Sequence, residues 1–214
     1  MAKFITLAGR KQVGKDTSAQ YIKQALGGDR VHVVHFADAL KQACSVIFGI
    51  PLEDMETETG KQKLTQVAWP MQEVRPKTPD KHDYEVIGYS PHSPQAGKPK
   101  FMTVREVLQF VGTNLFRNQL DPDIWVQSVY RKKYRDDDIV VVADCRFPNE
   151  CDFAKGQGIL ISVERETGLA SDGHASETAL DDYTNYDHVI DNNGSFDELR
   201  RKLNTILTGS SLTV

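Results

Sequence analysis

An α/β fold, with a doubly wound and mostly parallel sheet flanked by helices and interrupted by an irregular insertion, is what this 214-residue sequence predicts. Three observations carry the prediction. Short β-rich apolar runs alternate along the chain with stretches whose apolar residues recur at helical spacing. The run Ile139-Val140-Val141-Val142-Ala143 is continuously apolar, as a strand must be when helices cover both of its faces. A glycine-rich turn from Gly9 to Gly14 separates the first strand from the first helix, at the kind of strand end where such sheets receive ligands.

Taken in order, Phe4 to Ala8 reads as a strand ending at Gly9. From Asp16 onward, Ala19, Ile22, Ala25 and Leu26 make a helical stripe that Gly27-Gly28 stops. Val31 to Phe36 is a second strand, followed by a helix from Ala37 to Phe48 with Leu40, Ala43, Cys44 and Ile47 on one face. Between Pro51 and Lys100 prolines fall at 70, 76, 79, 91, 94 and 99 and apolar stripes fade. This predicts an insertion at the sheet's edge, with a small hairpin around Tyr84 to Tyr89, and not an independent domain. Thr103 and Glu106 have capping-box spacing ahead of Val104, Val107, Leu108 and Val111. Asp121-Pro122 predicts another helix start, with Asp as N-cap and Pro in the first turn, carrying Ile124, Trp125, Ser128 and Val129. Asp136-Asp137-Asp138 reads as a solvated turn before the strand at 139–143. A helix from Asn149 to Lys155, a strand from Ile159 to Glu164, a polar stretch to Tyr186, a strand from His188 to Ile190 and a helix from Phe196 to Leu207 complete the chain.

The length suits one domain over residues 1–214 with residues 51–100 inserted in it. A hydrophobic fraction of 39% and a charged fraction of 26% exclude a disordered, collagen-like or membrane-embedded chain. With 26 Lys and Arg against 30 Asp and Glu, the formal net charge of -4 gives no bulk positive field for nucleic acid. A local basic cleft for one phosphorylated ligand stays open. Cys44, Cys145 and Cys151 cannot pair completely and show no CxxC spacing, so they read as reduced thiols serving as small buried hydrophobes. The apolar run at the start is too short for a signal peptide and no stretch approaches membrane-spanning length. The expectation is a cytoplasmic protein with no membrane partner.

Gly9-Arg10-Lys11-Gln12-Val13-Gly14-Lys15-Asp16-Thr17 satisfies the pattern GxxxxGK between a strand and a helix. Glycines let such a loop turn successive N–H groups toward phosphate oxygens, the helix N-terminus adds its positive end, and Lys15 adds a mobile charge. A nucleoside triphosphate is the natural occupant. Asp16 stands where a Ser or Thr hydroxyl normally follows the lysine; it either holds magnesium, directly or through water, or serves as a first-turn acid on the helix dipole. Thr17 is kept as a phosphate contact. Asp144, at the end of the buried strand, either orders magnesium water or a substrate hydroxyl, or is a plain strand-end turn residue. Arg146 can pair bidentately with phosphate, and Glu150 either reads a ribose or base edge or acidifies a helix start. Arg105, Gln109 and Gly112 lie at i, i+4 and i+7, with Thr113 and Arg117 beyond; they either face a common cleft or are exposed helix positions. Trp125 either stacks on a base or packs in the core. Arg165 opens a polar segment over 165–186 that reads as a closing lid with a charge-stabilising arginine, or as a surface loop. His174 inside it has no spaced metal-binding partner.

GRKQVGKDT at 9–17, FADALK at 36–41, REVLQFVGT at 105–113 with Trp125 beyond, DCRFPNE at 144–150 and HASE at 174–177 occur in one order. Together they resemble the deoxynucleoside monophosphate kinases of tailed bacteriophages, a branch of the P-loop NMP-kinase fold. The resemblance spans most of the chain but is poor over 51–100. It implies a P-loop kinase domain that moves the γ-phosphate of ATP, with Mg²⁺, to a deoxynucleoside 5′-monophosphate for viral DNA synthesis, in the host cytoplasm. By matching position, it implies that Lys11, Gly14, Lys15, Asp16 and Thr17 hold the donor phosphates, with Asp16 toward the metal. Phe36, Lys41, Arg105, Gly112, Thr113, Trp125, Asp144, Arg146 and Glu150 would shape the acceptor site. Arg165 matches a lid arginine and Asn192 the loop near the donor adenine. Lys15, Asp16, Arg146 and Arg165 are then the catalytic set, and a homodimer is suggested. Two other readings of the phosphate loop remain: a kinase of another small acceptor, such as dephospho-coenzyme A, and an ATP-binding switch or loader without a small-molecule acceptor.

Overall fold

Lys3–Ala8 forms β1, the central strand of a five-stranded sheet in the order β2-β7-β1-β8-β9. Here β2 is Val31–Val34, β7 Ile139–Cys145, β8 Gly158–Glu164 and β9 His188–Asp191. Every pairing in this sheet is parallel. The chain leaves β1 toward β2 and returns through β7, then crosses β1 to reach β8 and β9, so the winding reverses around the strand that delivers Gly9. The computed structural model describes residues 2–27, 29–68, 74–76, 84–86, 101–166 and 178–210. It divides into two units, Met1–Ala39 with Pro122–Val214, and Leu40–Asp121.

In the first unit, alternation along β1 sorts the core onto two faces. Ile5 and Leu7 pack with Ala19 and Ile22 of α1 (Lys15–Leu26) and with Leu199, Leu203 and Leu207 of α8 (Phe196–Gly209). The opposite face is aromatic: Phe4 lies 4.7 Å, centroid to centroid, from Tyr130 of α6 (Ile124–Tyr130), which lies 4.9 Å from Phe153 of α7 (Pro148–Lys155). The mostly parallel doubly wound sheet expected from the sequence is present. β7 is buried along nearly its whole length, as its unbroken apolar run required. All three cysteines are free thiols and buried, with the Cys145 and Cys151 sulfurs 3.3 Å apart.

Two local expectations are corrected. The helix expected from Asp121-Pro122 starts at Ile124, because its first backbone hydrogen bond runs from the Gln127 N–H to the Asp123 carbonyl, two residues past Asp121. Asp123 precedes that helix and its carboxylate accepts a hydrogen bond from Asn149 at 2.6 Å. The acidic run at 136–138 is only partly solvated: Asp138 is buried, accepts the Arg135 N–H at 2.8 Å and lies 3.2 Å from His32 Nε2. Of the hairpin expected around Tyr84 to Tyr89, residues 84–86 form β5 (Tyr84–Val86), which pairs antiparallel with β4 (Val74–Pro76), and residues 87–89 lie outside the described residues.

The second unit has its own core of Cys44, Ile50, Met55, Val104, Val107 and Val111. Helix α2 (Asp38–Phe48) enters it with Leu40 and Cys44 inward, whereas Ile47, expected on the same face, is exposed. Two short helices, α3 (Leu52–Glu56) and α4 (Glu58–Lys61), lead to β3 (Leu64–Ala68), which pairs antiparallel with β6 (Phe101–Thr103). Helix α5 (Val104–Gln109) starts at the expected capping box: Thr103 Oγ1 accepts the Glu106 N–H and Glu106 accepts the Thr103 N–H. The chain then passes without a break into a π-helical segment, Phe110–Arg117. Its wider i to i+5 turn takes Gly112 off the 3.6-residue register assumed for Arg105 and Gln109. Among the described residues no helix is long and apolar enough to cross a membrane.

Candidate active site

The loop after β1 is bent by three residues of positive φ, Gly9 at 143°, Gln12 at 62° and Gly14 at 102°. A Cβ on Gly9 would stand 2.4 Å from the Val163 carbonyl oxygen of β8, so only glycine lets the chain turn out this close to the sheet. Lys15, the first residue of α1, folds back beneath the loop. Its Nζ donates to the Gly9 carbonyl at 2.8 Å and the Arg10 carbonyl at 2.6 Å. The residue is only 5% exposed, and burial, reinforced by Arg146, brings its pKa down to about 8 against the opposing pull of Asp144 and Asp16. Ser18 closes the first turn of α1 by donating Oγ–H to the Gly14 carbonyl at 2.9 Å.

Asp16 and Thr17 are exposed in that first turn. Asp16 Oδ1 lies 3.1 Å from Nε2 of His35, and this hydrogen bond holds the Asp16 pKa below its ordinary value. On its other side the His35 ring faces Asp38, with Nδ1 to Oδ1 at 3.5 Å. The two carboxylates, Asp16 first, push His35 up to about 10. Sequence reasoning passed over His35. The available signal was a histidine just past the end of β2, level with the turn that follows β1 in a parallel sheet.

Asp144 bridges strand ends. Its Oδ1 accepts the Phe36 N–H at 2.6 Å and its Oδ2 the Ala37 N–H at 3.1 Å, so its carboxylate shapes the β2–α2 turn. The charges of Asp144, Arg146 and Asp16 all act on Lys15, so these four groups are brought together. Glu150 is buried, and its Oε2 accepts the N–H groups of Arg146 at 2.7 Å and Phe147 at 3.1 Å. It thereby fixes the turn that presents Arg146. The Phe36 side chain is 2% exposed, its ring 6.4 Å from Tyr130, and Trp125 is 6% exposed; both are packed into the fold. Asn192 lies beneath the loop, its Nδ2 donating to the Val13 carbonyl at 2.8 Å. Lys11 is half-buried in the loop, and Arg165 is exposed immediately after β8. Residues 167–177, with His174 and half of the expected lid, lie outside the described residues.

In the second unit, Lys41 Nζ donates to both oxygens of Glu56 at 2.9 Å, and Arg105 donates to Glu58 at 2.6 Å. Lys61, not singled out from the sequence, lies 3.5 Å from the other Glu58 oxygen. Burial lowers its pKa, and the neighbouring charges of Lys41 and Arg105 add to the effect while Glu58 opposes it. Three cations are thus gathered around two carboxylates. A Cβ on Gly112 would meet Leu40 Cδ2 at 2.7 Å, so this glycine makes room for α2. Thr113 is half-buried in the π-helical segment, and its carbonyl accepts the Asn118 N–H.

A parallel sheet wound around a glycine loop with a lysine tucked under it is the architecture of the P-loop kinases. A solved shikimate kinase from Aquifex aeolicus shares the fold, with a TM-score of 0.52 over 98% of both chains at 11% sequence identity. Within that class, the family described as deoxynucleotide monophosphate kinase matches residues 78–203. A putative deoxynucleotide monophosphate kinase of Acanthamoeba polyphaga mimivirus is 31% identical over 97% of each chain. The deoxynucleotide monophosphate kinase of Enterobacteria phage T4 is 34% identical over 49% of this chain and 45% of its own. The chain belongs to the deoxynucleotide monophosphate kinase family.

Proposed function

We propose that this kinase transfers the γ-phosphate of ATP to a deoxynucleoside 5′-monophosphate, giving ADP and the deoxynucleoside diphosphate. Family membership supports the reaction class, and the observation that carries the donor assignment is Lys15, buried with its ammonium on the Gly9 and Arg10 carbonyls at the start of α1. A polyanion at the loop meets the backbone N–H groups, the positive end of the helix and that ammonium together. The acceptor phosphate already carries its nucleophilic oxygen, so the chain's task is alignment and charge neutralisation.

Asp16 is the residue proposed to hold magnesium. Among the described residues no cluster of three or more His, Cys, Asp or Glu side chains is arranged to bind a metal. A magnesium ion keeps several waters and takes one or two carboxylates plus phosphate oxygens. When bound, magnesium would supply neutralising charge at the donor phosphates. Lys11, Gly14 and Thr17 are proposed to contact those phosphates. Arg146, on the turn fixed by Glu150, is proposed to pair with acceptor phosphate, and Arg165 to add charge from the segment after β8. Lys41, Arg105, Gly112 and Thr113 are the acceptor-binding residues proposed for the second unit. Phe36, Trp125 and Asp144 support the first unit's part from within, by packing and by shaping the β2–α2 turn.

The test is ADP formation from ATP with and without a panel of deoxynucleoside monophosphates. The expected result is turnover that requires one of them. ADP produced at the same rate without any acceptor would replace this reading with the switch or loader.

A further inference from the structure

We infer that Asn192 is a positioning residue of the phosphate loop, acting through the Val13–Gly14 peptide and not through the base of the donor. The inference rests on the donor reading above and assigns Asn192 a different part in it.

Asn192 follows β9, and its backbone N–H extends the ladder by donating to the Glu164 carbonyl at 2.7 Å. The side chain is thereby carried on the sheet rather than on a loose turn. At 7% exposure it lies under the phosphate loop, where Nδ2 donates to the Val13 carbonyl at 2.8 Å. Its fit against the loop is close, since a Cβ on Gly14 would stand 2.4 Å from the same Nδ2.

The consequence follows from the geometry of the peptide bond. In a trans peptide the C=O of one residue and the N–H of the next point in opposite directions within one plane. Among the described residues no peptide bond is cis. Holding the Val13 carbonyl toward the sheet therefore aims the Gly14 N–H away from it, to the outer side of the loop where phosphate oxygens are received. The next residue is Lys15, so one hydrogen bond from β9 orients the peptide leading directly into the cationic end of the cradle. With that donor removed, the Val13 carbonyl is a buried acceptor without its partner, and the peptide is free to rotate toward water.

A contact with adenine and a brace on the loop predict different losses. Calorimetric titrations of Asn192→Leu, which keeps the volume but cannot donate, and of Asn192→Ala should use ATP and inorganic tripolyphosphate side by side. The brace predicts that both ligands weaken by the same factor, about tenfold, with the acceptor KM unchanged and the melting midpoint within a few degrees of wild type. Weakening of ATP alone would place Asn192 at the base and overturn the inference, as would unchanged affinity for both ligands. If wild-type protein itself binds neither ATP nor tripolyphosphate, the donor reading falls and this inference with it. If wild type binds both while the variants also bind normally, only the inference fails.

Discussion

His35 Nε2 lies 3.1 Å from Asp16 Oδ1, joining the end of β2 to the first turn of α1 at the place where this chain has a carboxylate after the loop lysine. The imidazole is bracketed on its other side by Asp38, whose Oδ2 also accepts the His35 backbone N–H at 2.8 Å. A charged histidine here holds the Asp16 side chain in one orientation and offsets the negative charge that Asp16 brings near the phosphate loop.

This bracket makes stability depend on pH in a defined direction. The folded pKa of His35 is raised from 6.5 to about 10, so its contribution is fully present below 6.5 and is lost as pH rises through about 10. Asp16 is shifted the other way: its contribution is present above its ordinary value of 3.8 and is lost as pH falls through the lower folded value. In EDTA, the melting midpoint of wild type should fall more steeply between about pH 7 and pH 10.5 than that of His35→Gln, which has no charge to lose. Equal slopes would show that the charge on His35 does not stabilise the fold.

Lys15 behaves in the opposite sense. Burial lowers its pKa from 10.5 to about 8, so between those values the unfolded chain binds more protons and this group's contribution makes stability rise with pH. A bound polyanion favours the ammonium and pulls the pKa back up. ATP binding at about pH 8.5 should therefore take up a fraction of a proton, read by calorimetry in buffers of different ionisation enthalpy. Uptake should vanish in Lys15→Ala, where transfer falls by a factor on the order of 10² or more while the fold stays intact. Near-normal turnover in that variant would remove Lys15 from the chemistry.

The parts of this site that could be read from the sequence are those whose residues are contiguous. Gly9 to Asp16 is legible because a glycine turn that folds a lysine back beneath itself is built from neighbours, and Ile139 to Ala143 announces a buried strand by composition alone. His35 meets Asp16 from 19 positions away and Asn192 meets Val13 from 179 away, so each contact exists only once the strand order has been set. The π-helical segment was hidden for another reason. Phe110 to Arg117 has the composition of an ordinary helix, and the wider turn leaves no mark in the apolar spacing. For Trp125 the sequence left stacking on a base and packing in the core both open, and its surroundings, set by the tertiary fold, bury it.

Glu150 separates support from contact. Because it is buried with two backbone N–H groups on Oε2, truncation orphans both donors, and Glu150→Ala should cost about 1–3 kcal/mol in urea unfolding. Glu150→Gln, which keeps one acceptor oxygen, should cost less and retain most acceptor affinity. If Glu150→Ala unfolds like wild type but loses acceptor binding, the residue contacts substrate directly.

Arg146 is the complementary case, since the turn that Glu150 fixes leaves the guanidinium close enough to Lys15 to lower its pKa. Like charges so placed repel each other, and phosphate relieves that repulsion when it arrives. Arg146→Ala should raise the acceptor KM or lower kcat without weakening ATP binding. It should also let the free Lys15 pKa drift back toward 10.5, so that proton uptake on ATP binding at about pH 8.5 shrinks relative to wild type. An unchanged acceptor profile would take Arg146 out of the acceptor site, while unchanged proton uptake would show that its charge does not reach Lys15.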